Sequence, residues 1–136
     1  MILGHTGPLV ALIDPRDSLH RRSRADLGEL TDPSYLVTVP VLTETFFQLR
    51  SRVARRKLRA LLEELEVSVR EIAGSTVAAS MDWMDTYADH EPDFSDAVMV
   101  VLSSELEGGL VWTYDREFHT TWRKRDGAVI PLAVRP

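Results

Sequence analysis

Four side chains in this 136-residue sequence stand where they could do chemistry together. His5 follows the apolar opening "MIL", and Glu44 lies in "PVLTETFFQL", just after "YLVTV". Asp96 leads "DAVMVVL", and Asp115 comes directly after "LVWTY". Each lies just past a strand-like run or at the start of a helix. In open parallel sheets ligands bind at the carboxyl ends of the strands, where such loops and helix starts converge. Three carboxylates gathered there repel one another, and a divalent cation is the usual way to offset that cost. Hard oxygen donors suit Mg²⁺ or Mn²⁺, and the matching chemistry is metal-assisted hydrolysis of a phosphodiester.

Each residue also has a plain structural role open to it. Glu44 shares a stripe with Val41, Phe47 and Gln48 and could be a surface acid. Asp96 stands three residues after Asp93 and could complete a capping box. Asp115 could start the turn "DREF". The set of three carries the argument, and no single member does.

Several other chemistries lack their residues. There is no Cys, so disulfides, thiolate metal sites and a Cys nucleophile are out, which fits a cytoplasmic protein. A G-x-S-x-G elbow and a phosphate-cradling glycine loop are missing. "DPRD" at 14–17 spaces its aspartates three apart, where an aspartyl phosphatase would want two. No apolar run approaches the roughly 20 residues of a membrane span, and the start lacks the pattern of a signal peptide. The composition is that of a globular chain, 44% hydrophobic and 27% charged, and no repeat or linker divides it; one domain over 1–136 is expected.

The elements that must position these residues alternate in type. Residues 2–4 read as a short strand and 7–13 as a short helix with Pro8 in its first turn. A polar helix follows over about 17–30, then a strand at 35–39 and a helix from Pro40 through "PVLTETFFQLRSR". Leu58, Leu61, Leu62 and Leu65 give 53–65 a helical period. "VSVREI" at 67–72 reads as a strand, and about 75–88 as a helix. The next helix starts at Asp93 or Ser95, is apolar all round from Ala97 to Leu102, and ends at Gly108–Gly109. Strands at 110–114 and 129–134 close the chain. Such alternation implies an α/β fold with a parallel sheet covered by helices.

On these motifs the chain resembles the PIN domains. "HTGPLVALID" is similar to their opening, "VLTETFFQL" to their Glu-bearing helix, "YADHEPDFSDAVMVVLSSEL" to their "DA" segment and "VWTYDREF" to their "TxDxxF" segment. The likeness spans nearly the whole chain, and its length and Cys-free composition resemble the VapC-type toxins of toxin–antitoxin pairs. It implies a three-layer α/β/α fold with a mainly parallel sheet of about five strands, and a metal-dependent ribonuclease. The implied metal ligands are Glu44, Asp96 and Asp115, with Mg²⁺ or Mn²⁺. Thr6, Thr113, Asp89 and Asp93 would stand around them. A cognate antitoxin and a homodimer are implied as partners.

His5 departs from the pattern, because it occupies the place of the family's first aspartate. A rival register would make "PLVALID" the strand and Asp14 the acid, but it discards the likeness on both sides. Imidazole for carboxylate removes a negative charge and an oxygen donor, which weakens Mg²⁺ and suits Mn²⁺ or Zn²⁺ better. The alternative is a catalytically silent domain that still binds RNA or an antitoxin. The net charge of −5 sits beside basic clusters at 21–24, 50–59 and 123–125. Arg22, Arg55, Arg56 and Arg116 are the candidate phosphate contacts, with a solvated helix face as the plain alternative.

Overall fold

The computed structural model describes residues 1–31 and 34–135. Its strands are β1 (Ile2–Gly4), β2 (Tyr35–Thr38), β3 (Ser68–Arg70) and β4 (Leu110–Trp112). Its helices are α1 (Thr6–Ile13), α2 (His20–Glu29), α3 (Val39–Gln48), α4 (Arg52–Glu64), α5 (Gly74–Thr86), α6 (Phe94–Glu105) and α7 (Glu117–Thr120), with a single 3-10 turn at Ala88–His90. The sheet runs β3-β2-β1-β4 and every pairing is parallel. In register, Leu3 stands beside Leu36 and Val111, and Gly4 beside Trp112. Helices connect each strand to the next and flank the sheet, as a parallel arrangement requires.

From β1 the chain steps outward to β2 and β3, then returns to place β4 on the other side of β1. The order therefore reverses between β1 and β4. At such a switch point the connections leave the sheet in opposite directions and open a crevice beyond the carboxyl ends of the strands.

The sheet has four strands among the described residues, where the sequence suggests about five. "VIPLAV" at 129–134 supplies only an isolated parallel bridge, Val111 to Leu132. Two backbone bonds hold it, from Val111 N–H to Pro131 O and from Ala133 N–H to Val111 O, both 2.8 Å. Pro131 has no N–H of its own, so it cannot extend the ladder. The bridge stops there, although Ile130 is buried in the core.

Helix α6 is the centre of the packing. Nine of its residues, Ser95 through Ser103, are buried, and α5 lies along it. Leu3, Leu36, Val37, Val41, Trp83, Val111, Phe118, Trp122 and Ile130 pack around its Ala97–Leu102 stretch. A second cluster joins Val10 and Ile13 of α1 to Leu49 and Leu58. Thr38 caps α3 by accepting from Val41 N–H at 3.4 Å, with Pro40 in the first turn. The helix stops at Gln48 rather than running on to 52. There the Arg55 side chain donates to Leu49 O at 2.7 Å and to Phe46 O at 3.0 Å, and Ser51 caps α4. That leaves Phe47 on the surface, 75% exposed.

Truncating Met99, which has no exposed surface, leaves a cavity that the all-round packing of α6 cannot collapse. Met99→Ala is expected to cost about 2–5 kcal/mol in urea unfolding, with the denaturant slope unchanged.

Candidate functional site

The four candidates meet at the carboxyl end of the sheet. His5 directly follows β1 and forms the N-cap position of α1; its backbone N–H donates to Trp112 O of β4 at 3.0 Å. Glu44 lies on the second turn of α3, which leaves β2 at Thr38. Asp96 is the third residue of α6, and Asp115 follows β4 by three residues. Segments remote in sequence are thus joined by the strand order alone. Asp14, the acid of the rival register, lies at the other end of α1, where Arg16 backbone N–H donates to its carboxylate at 2.9 Å and the Arg16 Nε at 3.3 Å. "PLVALI" is helix and not strand.

At the centre is the His5 imidazole against Asp96, with side chains 11% and 7% exposed. His5 Nε2 is 2.9 Å from Asp96 Oδ1, and Nδ1 is 2.8 Å from Thr113 Oγ1. Thr113 Oγ1 also accepts from Asp115 N–H at 3.0 Å. One proton assignment satisfies every atom. Nε2–H donates to the Asp96 carboxylate, the Thr113 hydroxyl donates to Nδ1, and Asp115 N–H donates to the Thr113 oxygen. The ring lies 5.3 Å, centroid to centroid, from the buried Phe118 ring.

The other acids are equally engaged. Thr6 Oγ1 donates to Glu44 Oε2 at 2.7 Å, and Ser95 Oγ donates to Glu44 Oε1 at 2.6 Å. Asp93 N–H donates to Asp96 Oδ2 at 3.1 Å within a capping box. Asp96 therefore has the plain role open to it in the sequence as well as a place in the cluster. Asp115 Oδ1 accepts from Glu117 N–H at 2.9 Å, starting α7. Asp93 itself is exposed at the mouth. Its carboxyl is held above the usual range by partial burial first, then by the charges of Asp96, Glu44 and Asp115. That shift reflects burial first and the neighbouring negative charge second. Asp89 stands exposed on the 3-10 turn.

Ser95 is the member that the sequence hides, since a hydroxyl beside Asp93 at a helix start reads as a cap. The four candidate arginines divide into two kinds. Arg22 pairs with Asp26 at 3.5 Å, lies 4.6 Å over the Tyr114 ring and donates to Arg135 O. Arg55 closes the end of α3 as described above. Arg56 and Arg116 are exposed, and Arg116 is the N-cap of α7 next to Asp115.

The donors of the cluster are of the kind a divalent cation takes, but their arrangement does not fit one. Among the described residues no three His, Asp or Glu side chains are grouped so as to hold an ion. All four oxygens of Glu44 and Asp96 already accept hydrogen bonds. What the arrangement provides as it stands is a closed network of acceptors, with an exposed arginine beside it.

The whole chain is similar in fold to Mycobacterium tuberculosis VapC20, a sarcin-ricin loop cleaving toxin, with a TM-score of 0.78, 21% identity and all of each chain covered. No family model and no curated protein matches the sequence.

The raised carboxyl of Asp93 gives a pH-dependent outcome. The folded chain disfavours its charged form, so that charge weakens folding at neutral pH. The penalty vanishes as pH falls through the folded value towards the ordinary 3.8, where both states bind the proton. Asn keeps the cap acceptor without the charge. Asp93→Asn is expected to melt higher than the parent at pH 7, with the gap closing near pH 4.

Proposed function

We propose that this chain is an RNA-directed domain of the VapC-like toxin class, one PIN-type unit over 1–136 with helices on both faces of its sheet. Its acidic cluster is the reaction centre of an endoribonuclease, limited in this chain by His5. The observation that carries the reading is the meeting of Glu44, Asp96 and Asp115, from three remote segments, at the β1/β4 switch point. The full-length likeness in fold to a toxin that cleaves the sarcin-ricin loop supports it and makes a structured RNA loop the first substrate to try.

On this reading Glu44, Asp96 and Asp115 are the residues that would hold Mg²⁺ or Mn²⁺ were an acid at position 5, and the ion would supply activation of water and stabilisation of the leaving oxygen. Thr6 and Ser95 orient Glu44, Thr113 orients His5 and the Asp115 backbone, and Asp93 shapes the mouth. The RNA backbone lies along the exposed cations Arg56 and Arg116. The cognate antitoxin would cover the same cleft, the chain would pair with a second copy, and it would act in the cytoplasm. No helix among the described residues is long and apolar enough to cross a membrane. A second reading, a module that binds RNA or an antitoxin without turnover, is favoured by one observation: every Glu44 and Asp96 oxygen is already taken.

RNA cleavage tests the first reading. With Mn²⁺ or Mg²⁺, His5→Asp is expected to cut a stem–loop RNA about 10-fold or more faster than the parent. Adding Asp96→Asn to that variant should abolish cutting. No cutting by His5→Asp with either ion, or cutting indifferent to Asp96, would overturn the reading. Parent protein that binds the RNA without cutting it would favour the binding module.

Binding tests the basic side chains. Replacing Arg56 and Arg116 together by Gln should lower the salt slope of RNA affinity by roughly one unit for each phosphate no longer neutralised. An unchanged slope would assign both to the solvated surface.

A further inference from the structure

We infer that His5 does by hydrogen bonding what a bound cation would do in this cluster: it ties β1, α6 and β4 together, and in doing so it keeps divalent ions out. The inference rests on reading the cluster as a nuclease-type centre, and it names the residue that decides whether an ion enters.

The tie is visible in three contacts from one residue. Nε2 reaches Asp96 on α6 at 2.9 Å, Nδ1 reaches Thr113 after β4 at 2.8 Å, and the backbone N–H reaches Trp112 O at 3.0 Å. Of the segments that carry the three carboxylates, His5 thus reaches α6 and the segment after β4, while Glu44 of α3 is held by Thr6 and Ser95. The imidazole needs only its neutral form to complete the set, with its single proton on Nε2. Phe118 backs the ring, so the side chain is packed rather than swinging in open solvent.

The exclusion follows from the same atoms. An ion approaching Asp96 Oδ1 meets a proton donor instead of a second oxygen. Asp96 Oδ2 is held by the capping box, and both Glu44 oxygens are held by hydroxyls. Mg²⁺ demands near-octahedral oxygen coordination and sheds water reluctantly, so a site that must first break several hydrogen bonds and then offers nitrogen suits it poorly. The carboxylates of Glu44, Asp96 and Asp115 at the end of the sheet still draw cations. That attraction lacks a place to converge, since no three donors are grouped among the described residues. An acid at position 5 changes both conditions at once, removing the donor and adding an oxygen.

The test reads ion binding directly, with MnCl₂ as the probe in electron paramagnetic resonance and MgCl₂ and EDTA as arms in thermal melts. The parent should leave the free Mn²⁺ signal undiminished and melt at the same temperature in EDTA and in millimolar Mn²⁺. His5→Asp should melt lower in EDTA, recover by about 5 °C or more with Mn²⁺, and deplete the free signal. Asp96→Asn in that background should cancel the depletion. Stoichiometric Mn²⁺ binding by the parent would overturn the inference while leaving the nuclease-type reading intact. A folded His5→Asp that binds no Mn²⁺ would overturn both. If His5→Asp does not fold under any condition, the parent decides alone: binding overturns the inference, and indifference to Mn²⁺ and EDTA supports it.

Discussion

Four carboxylates from three segments of the chain crowd the carboxyl end of a short parallel sheet, and hydrogen bonds meet the charge of three of them. Asp96 and Glu44 are met by an imidazole, a backbone amide and two hydroxyls. Asp115 is met by the first amide of the helix it starts. Asp93, at the mouth, is the one left with its charge disfavoured, and it is also the one that solvent reaches. Repulsion in a cleft of low dielectric is expensive, and hydrogen bonds to a charged acceptor are the strong kind that can offset it. The rest of the site follows from where those donors must stand.

The fold supplies those positions directly. Reversal of strand order at β1 brings His5 beside Thr113 without any long loop. The buried helix α6 presents Ser95 and Asp96 from its first turn while its next two turns fill the core, so the site is anchored to the most tightly packed part of the molecule. A site held this way tolerates little drift, because moving Asp96 means moving the helix. The imidazole of His5, bonded to Asp96 and Thr113, is fixed by the same packing.

How much of this the sequence shows depends on the kind of signal. Glu44, Asp96 and Asp115 are legible because each follows a strand-like run or opens a helix, and the parallel order then joins them. Thr113 is legible as a hydroxyl two residues before an acid, and His5 as an imidazole directly after the first strand. Ser95 is not legible, since a hydroxyl at a helix start has a commoner use. The fifth strand expected at 129–134 is an overcall from β-branched content, because Val129, Ile130 and Val134 look strand-like while Pro131 removes the donor that a ladder needs. The stripe of Val41, Glu44, Phe47 and Gln48 does not by itself show which of its members are covered, and the structure buries Val41 and leaves Phe47 exposed.

Charge patterning shows the same limit from the basic side. A run such as "RSRVARRKLR" looks uniform, but its members do different work. Arg55 turns back to satisfy carbonyls that the end of α3 leaves without partners, a duty every helix terminus imposes. Arg59 pairs along its own helix with Glu63 at 3.0 Å. Arg56, one residue from Arg55, faces solvent. On a helix of 3.6 residues per turn, neighbours in sequence point in different directions, so a cluster read by composition overstates the cations free for a phosphate. The same holds for Arg22, which its pair with Asp26 and its stacking on Tyr114 commit to the protein's own structure. Net charge and clustered arginines therefore mark a region, and only the internal hydrogen bonds say which side chains remain to meet a nucleic acid.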